Sequence, residues 1–219
     1  MAESTAPAEA YVARKRDAVR LLFILDRAGE PAGRNAPDGA VKVIEAEMRV
    51  QAIDFWVRNP DYLAWELMEQ YEQSEKADET LLQHAEMVMS GEEPELRRLG
   101  MLRYLFGAYE ALDDAMATLS LSGLALVRRK YRSQGIAQTD FFLTASGEEK
   151  ARELCQIAPL LWYAERAGLV AAVAGDRKGS ILKKHQYKIA EYHDAKHGRI
   201  IQPIYRQVKA RLAALREAS

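Results

Sequence analysis

Cysteine is almost absent from this chain: Cys155 is the single one in 219 residues. That excludes an intrachain disulfide framework and a cysteine-based zinc site, and it fits a reducing compartment. Long apolar runs are missing as well. None approaches the roughly 18 residues a membrane span needs, and the opening stretch MAESTAPAEAYVARKR lacks the apolar segment of a secretory signal. The expectation is a soluble, cytoplasmic protein without a membrane partner. Histidine is scarce, with four in all. His193 and His197 stand four apart with Asp194 between them, and on one helix their imidazoles would share a face. Two ligands do not make a metal site.

Catalytic motifs are missing too. AGDRKGS (174–180) lacks the Gly-Lys-Ser/Thr ending and the spacing of a phosphate loop, and it reads as a turn. Asp113 and Asp114 are adjacent, so they do not share a helix face as a catalytic pair would. No nucleophile motif surrounds Cys155, which reads as a small buried apolar group. Trp56, Trp65 and Trp162 sit in helical segments and read as core. The expectation is a chain with no catalysis of its own, no cofactor and no metal.

What is present is an ordinary globular composition, 48% apolar and 29% charged. A chain of this size can bury roughly 70% of its unfolded surface, so it needs no staple. The charge is unevenly spread. Residues 1–60 hold 9 basic and 9 acidic side chains, residues 61–120 hold 4 and 14, and residues 121–219 hold 18 and 9. Two readings follow. Solvated faces can fold back and neutralise one another, or a basic surface can face nucleic acid while an acidic one faces another partner.

The pattern is mostly helical, with helices expected over Tyr11–Ala28, Val41–Arg58 and Asp61–Tyr71 (capped by Asp61), and a short one over Thr80–Met89. Glu30–Gly39 and Gly91–Glu95 read as loops. MLRYLF (101–106) reads as a strand and Tyr109–Ser122 as a helix closed by Gly123. Leu124–Arg132 and Thr139–Thr144 then read as two strands around the turn Ser133-Gln134-Gly135. Thr144 or Ser146 caps a helix to about Ile157. Residues 160–173 are helical with a break near Gly168, and Lys183–His197 and Pro203–Glu217 complete the pattern. The domain reading is a disordered 1–10, a domain over 11–158 with an acidic helical insert at about 64–100, and a C-terminal helical region over 159–219.

Helix, Gly, strand, basic turn, strand and capped helix occur in that order in LSGLALVRRKYRSQGIAQTDFFLTASGEEKAREL (121–154). This resembles the wing of MarR- and PadR-like regulators, and implies a mainly α fold with a small β-hairpin: a winged helix-turn-helix plus additional helices. RLLFILDRAG (20–29), VQAIDFWVRNPDYL (50–63), LRYLFGAYEALDD (102–114) and GDRKGSILKK (175–184) are similar to small bacterial winged-helix proteins. Some of those are middle components of Lamassu-like defence systems. That resemblance implies work beside an SMC-like ATPase and an effector such as a nuclease. The acidic insert departs from the pattern.

A recognition helix normally carries Arg, Lys, Asn or Gln into the major groove. Here Tyr109–Ser122 carries Glu110, Asp113 and Asp114 and none of those four types. Carboxylates against phosphates are repelled, so these three are assigned to a basic protein partner. The hairpin is the opposite, with Arg128, Arg129, Lys130 and Arg132 within five residues. Alternation puts Arg128, Lys130 and Arg132 on one face, and Arg129 with Tyr131 on the other. Such a hairpin can follow phosphates without reading bases; the plain alternative is a charged edge that blocks strand pairing. Lys183, Lys184 and Lys188, near Arg177 and Lys178, form a second cluster for nucleic acid or for solvent. The leading expectation is an accessory subunit contacting a partner protein and the DNA backbone. Its alternatives are a dimeric transcriptional regulator and an isolated interaction module.

Overall fold

The computed structural model describes residues 6–75, 78–91, 101–104, 107–133 and 135–218, without the side chains of 6–13 and of Arg132. The expected acidic loop Gly91–Glu95 lies outside the described residues beyond Gly91. The chain begins with α1 (Ala6–Ala28), β1 (Glu30–Pro31), β2 (Ala40–Ile44), α2 (Glu47–Arg58), α3 (Pro60–Gln73) and α4 (Glu79–Ser90). Next come β3 (Leu102–Tyr104), β4 (Gly107–Tyr109), α5 (Asp113–Leu121), β5 (Ala125–Arg132) and β6 (Gly135–Thr144). It ends with α6 (Ala145–Leu154), α7 (Ala158–Ala174), α8 (Gly179–Gln186), α9 (Ala190–His193) and α10 (Tyr205–Ala218). The fold is mainly helical, with an antiparallel four-stranded sheet in the order β1-β2-β6-β5 and a separate β3-β4 pair. Two compact units share the chain. One comprises residues 1–50 and 111–172, the other 51–110 and 173–219.

In the first unit the expected helix over Val41–Arg58 is corrected. Its first part, AVKVI, is strand β2, paired with Phe141–Thr144 of β6. Two valines and an isoleucine suit a pleated surface better than a helix. Ala46, at φ 68°, turns the chain before α2 begins. Lys42 in β2 ties three elements together: its Nζ lies 2.7 Å from Asp26 Oδ1 in α1 and 3.0 Å from Glu148 Oε1 in α6. In α1, Leu21 to Leu25 are all buried. Thr144 caps α6, its Oγ1 accepting from Gly147 N–H at 3.0 Å and donating to the Gly123 carbonyl at 2.7 Å. Gly123 closes α5 at φ 71°, as expected of a helix C-terminal glycine. The expected break near Gly168 is absent, and α7 runs through it without interruption.

In the second unit Pro60 opens α3, where its missing N–H costs nothing. Asp61 therefore does not cap that helix. It is buried, and its carboxylate accepts from Tyr62 N–H at 3.0 Å and from Ile204 N–H at 2.6 Å. Phe55, Tyr62 and Tyr192 meet edge to face at 4.8 and 5.0 Å. Tyr192 Oη accepts from Ala108 N–H at 2.7 Å and donates to Gln186 Oε1 at 3.1 Å, while Gln186 Nε2 donates to the Ala52 carbonyl at 2.9 Å. This chain of bonds holds β4 in place. Segment 198–201 runs beside β3, with Arg103 N–H on the Arg199 carbonyl at 2.8 Å and Gly198 N–H on the Arg103 carbonyl at 2.7 Å. The expected helix Lys183–His197 is two shorter ones, because the backbone leaves helix at Tyr187–Ile189.

The second unit also settles the charge pattern. Acidic α3 and α4 and the basic residues after 173 fold into it together. Arg211 pairs with Glu69 at 2.7 Å and also with Glu72. Arg216 pairs with Glu79 at 2.7 Å and Glu86 at 2.6 Å, and Arg177 with Glu66 at 2.7 Å. Counted over the sequence, the first unit holds 15 basic and 15 acidic residues and the second 16 and 17. Each unit is thus close to neutral, and within the second one the acidic helices and the basic residues after 173 pair with each other.

Candidate nucleic-acid interface

Strands β5 and β6 form the two-stranded ribbon expected from 124–144. Arg128 pairs across from Asp140, Arg129 from Thr139, Lys130 from Gln138 and Arg132 from Gly135. Up to Lys130 the strict alternation holds. Arg128 and Lys130 share a face and both reach Asp140 Oδ2, at 3.5 and 2.9 Å. Arg129 points the other way and reaches Asp113 Oδ1 of α5 at 3.1 Å. A bulge between Lys130 and Tyr131 then shifts the register. The extra residue is Ala137 of β6, and the Arg132 side chain lies outside the described residues.

Asp140 is the residue that the sequence reading missed. Its side chain has 0% exposure. Burial works to raise its pKa, but hydrogen bonds from Gln138 and Lys130, the Lys130 charge and the Ala46 N–H outweigh this. The carboxyl is held below the ordinary aspartate value. Arg128 is further fixed by a 2.7 Å bond to the Asn35 carbonyl and lies 4.8 Å over the Phe142 ring. The three cations still show 37%, 47% and 45% of their side chains to solvent. Past the bulge, Tyr131 and Ile136 are directly paired and exposed. The signal in the sequence was a lone acid in the apolar stretch TDFFLT, two residues before Phe142 and so on its face.

The acidic set is dispersed. Asp113 and Asp114 start α5, where carboxylates suit the helix dipole, and both are exposed. Tyr109 belongs to β4, so Glu110 precedes α5 rather than lying on it. Its carboxylate accepts from Arg58 at 2.7 Å, and its backbone exchanges two bonds with the Gln51 side chain at 2.7 and 2.9 Å. This corrects the picture of three carboxylates on one helix.

The lysine cluster is dispersed as well. Lys183 is buried and donates to the Ala108 carbonyl at 3.0 Å, a structural position rather than a surface one. Lys184 is exposed on α8. Lys188, just beyond the end of α8, is exposed too and lies 3.7 Å from Glu69. His193 closes α9, and His197 lies past its end. Among the described residues, no three His, Cys, Asp or Glu side chains are grouped to hold a metal, and no helix is long and apolar enough to cross a membrane.

Comparison with protein-family models, with curated proteins and with solved structures returned no match.

Proposed function

We propose that the chain is a non-catalytic winged-helix accessory subunit that touches the DNA backbone through the β5–β6 ribbon and a basic protein surface through α5. The order α5, Gly123, β5, turn, β6 and Thr144-capped α6 supports the winged-helix reading. The observation that carries the function is the ribbon register. It sets cations on both faces of an exposed hairpin while the helix beside it offers only Asp113 and Asp114. The Arg129–Asp113 pair is exposed on both sides, and such pairs are worth about 0–1 kcal/mol in water. Arg129 can therefore exchange Asp113 for a phosphate at little cost. Arg128 and Lys130 keep Asp140 as a fixed counter-ion, so they add less than two full charges. Binding of this kind positions a protein on a duplex without reading its sequence.

Titration of a labelled duplex over a range of salt tests the reading. The expected result is sequence-independent binding. Its salt dependence becomes shallower, by about 0.9 in log–log slope for each phosphate no longer neutralised, in Arg129→Glu and in Lys130→Glu. For the protein face, Asp113→Lys with Asp114→Lys is expected to abolish co-purification with the partner subunit, proposed to be an SMC-like ATPase. A sharp footprint on one sequence would replace this reading with that of a dimeric regulator. Absence of any salt-dependent binding would leave an interaction module.

A further inference from the structure

The small sheet of the second unit presents a face that the ribbon reading does not use. Leu102 in β3 is directly opposite Tyr109 in β4 and bridges to Ile200. Tyr104 is two residues along β3 from Leu102, on the same side of the pleat. All four side chains are exposed. The rings form a row: Tyr104 and Tyr109 have centroids 5.4 Å apart and tilted 32°, and His197 lies 4.7 Å from Tyr104 at 39°. Isolated exposed apolar residues are ordinary, but a contiguous set on one sheet face marks a binding surface.

The charge around the row says what the surface fits. The turn that leads into Ile200 beside β3 carries Lys196, His197 and Arg199, all exposed. Asp194, the one carboxylate of that segment, is already engaged by His193 Nδ1 at 2.7 Å. Glu110, next to Tyr109, accepts from Arg58. The apolar face is thus rimmed by cations whose neighbouring anions have partners. A flat π-bearing face with a cationic rim suits unpaired bases joined by phosphates. Every base has a face that stacks on an aromatic ring, and the backbone supplies the negative charge. A duplex hides its base faces, and an acidic peptide would use the rim but leave the ring row without a matching partner.

We propose that the Leu102–Tyr104–Tyr109–His197 face binds single-stranded nucleic acid by base stacking, with Lys196 and Arg199 taking the phosphates. This site lies on different residues, in a different unit, from the ribbon, so either can fail without the other.

The test is fluorescence anisotropy of the full chain with a labelled oligothymidine strand and, separately, a labelled duplex at low salt. Tyr104→Ala and Tyr109→Ala each weaken strand binding by about tenfold, and Tyr104→Phe, which keeps the ring, does not. Neither alanine variant changes duplex affinity, whereas Arg129→Glu in the ribbon weakens duplex binding and leaves strand binding intact. Lys196→Glu with Arg199→Glu, made on exposed positions, weakens strand binding and serves if an alanine variant loses its circular dichroism spectrum. Strand binding at full strength in a folded Tyr104→Ala/Tyr109→Ala double variant overturns the proposal, as does no strand binding by the unmodified chain. A concentration-dependent dimer abolished by the double variant overturns it too, by giving the face to a second copy.

Discussion

Asp140, with no exposed surface, gathers Lys130, Arg128, Gln138 and the Ala46 amide around one carboxylate. A charged acceptor satisfied in this way is worth about 1.5–3 kcal/mol, so Asp140→Asn is expected to lower the stability of the first unit by about 2 kcal/mol near neutral pH. The pH dependence has a definite sign. The folded-state pKa lies below the ordinary aspartate value of 3.8. The stabilisation is therefore fully present above that value and is lost as pH falls through the lower folded one. Urea midpoints of the native chain and of Asp140→Asn should stay apart from neutral pH down to about pH 5 and converge in stronger acid. A gap that widens on acidification would rule out this role for the carboxylate.

Elements of the first unit are joined by short, specific devices. Thr144 links the end of α5 to the start of α6, and Thr144→Ala is expected to cost about 1 kcal/mol for the missing cap. Gly147 has a harder constraint, because a Cβ there would stand 2.1 Å from the Leu124 carbonyl oxygen. Gly147→Ala must separate α6 from the start of β5, and thermal unfolding should show a larger loss than for Thr144→Ala. The cap and the ribbon were legible in the sequence because Thr, Gly and alternating strands leave local signatures. Strand β2 was not, since Val41 and Ile44 also fit a helical period and only their pairing with β6 decides between the two. Lys183 could not be placed either. A lysine on an otherwise basic helix looks like surface until the Ala108 carbonyl and its burial are seen. The ring row escaped notice because Tyr104, Tyr109 and His197 are brought together by tertiary pairing, not by spacing in the chain.

Across the whole molecule, charge is redistributed by folding. The excess of acid in residues 61–120 and of base after residue 120 disappears when each unit is counted. Pairs such as Arg216 with Glu79 and Glu86, and Arg211 with Glu69 and Glu72, join α10 to α3 and α4. Arg211→Ala/Arg216→Ala is therefore expected to lower the melting temperature at low salt. The difference should narrow at ~1 M salt, where the Debye length is about 3 Å. Scanning calorimetry at the two salt concentrations checks this.

Each unit is assembled from two separated stretches, with crossings after residues 50, 110 and 172. A ribosome therefore releases half of each body long before its complement exists. Strand β2 waits about a hundred residues for β6, and the carboxylates of α3 and α4 wait still longer for the arginines of α10. At roughly 5–20 residues per second of synthesis, the nascent chain spends several seconds with unmatched partners on both sides. A chain stopped at residue 158 would hold neither body whole, so pulse-labelled intermediates of that length should be cut rapidly by protease; the first body should become resistant once residue 172 has left the exit tunnel, and the second only after α10 has followed.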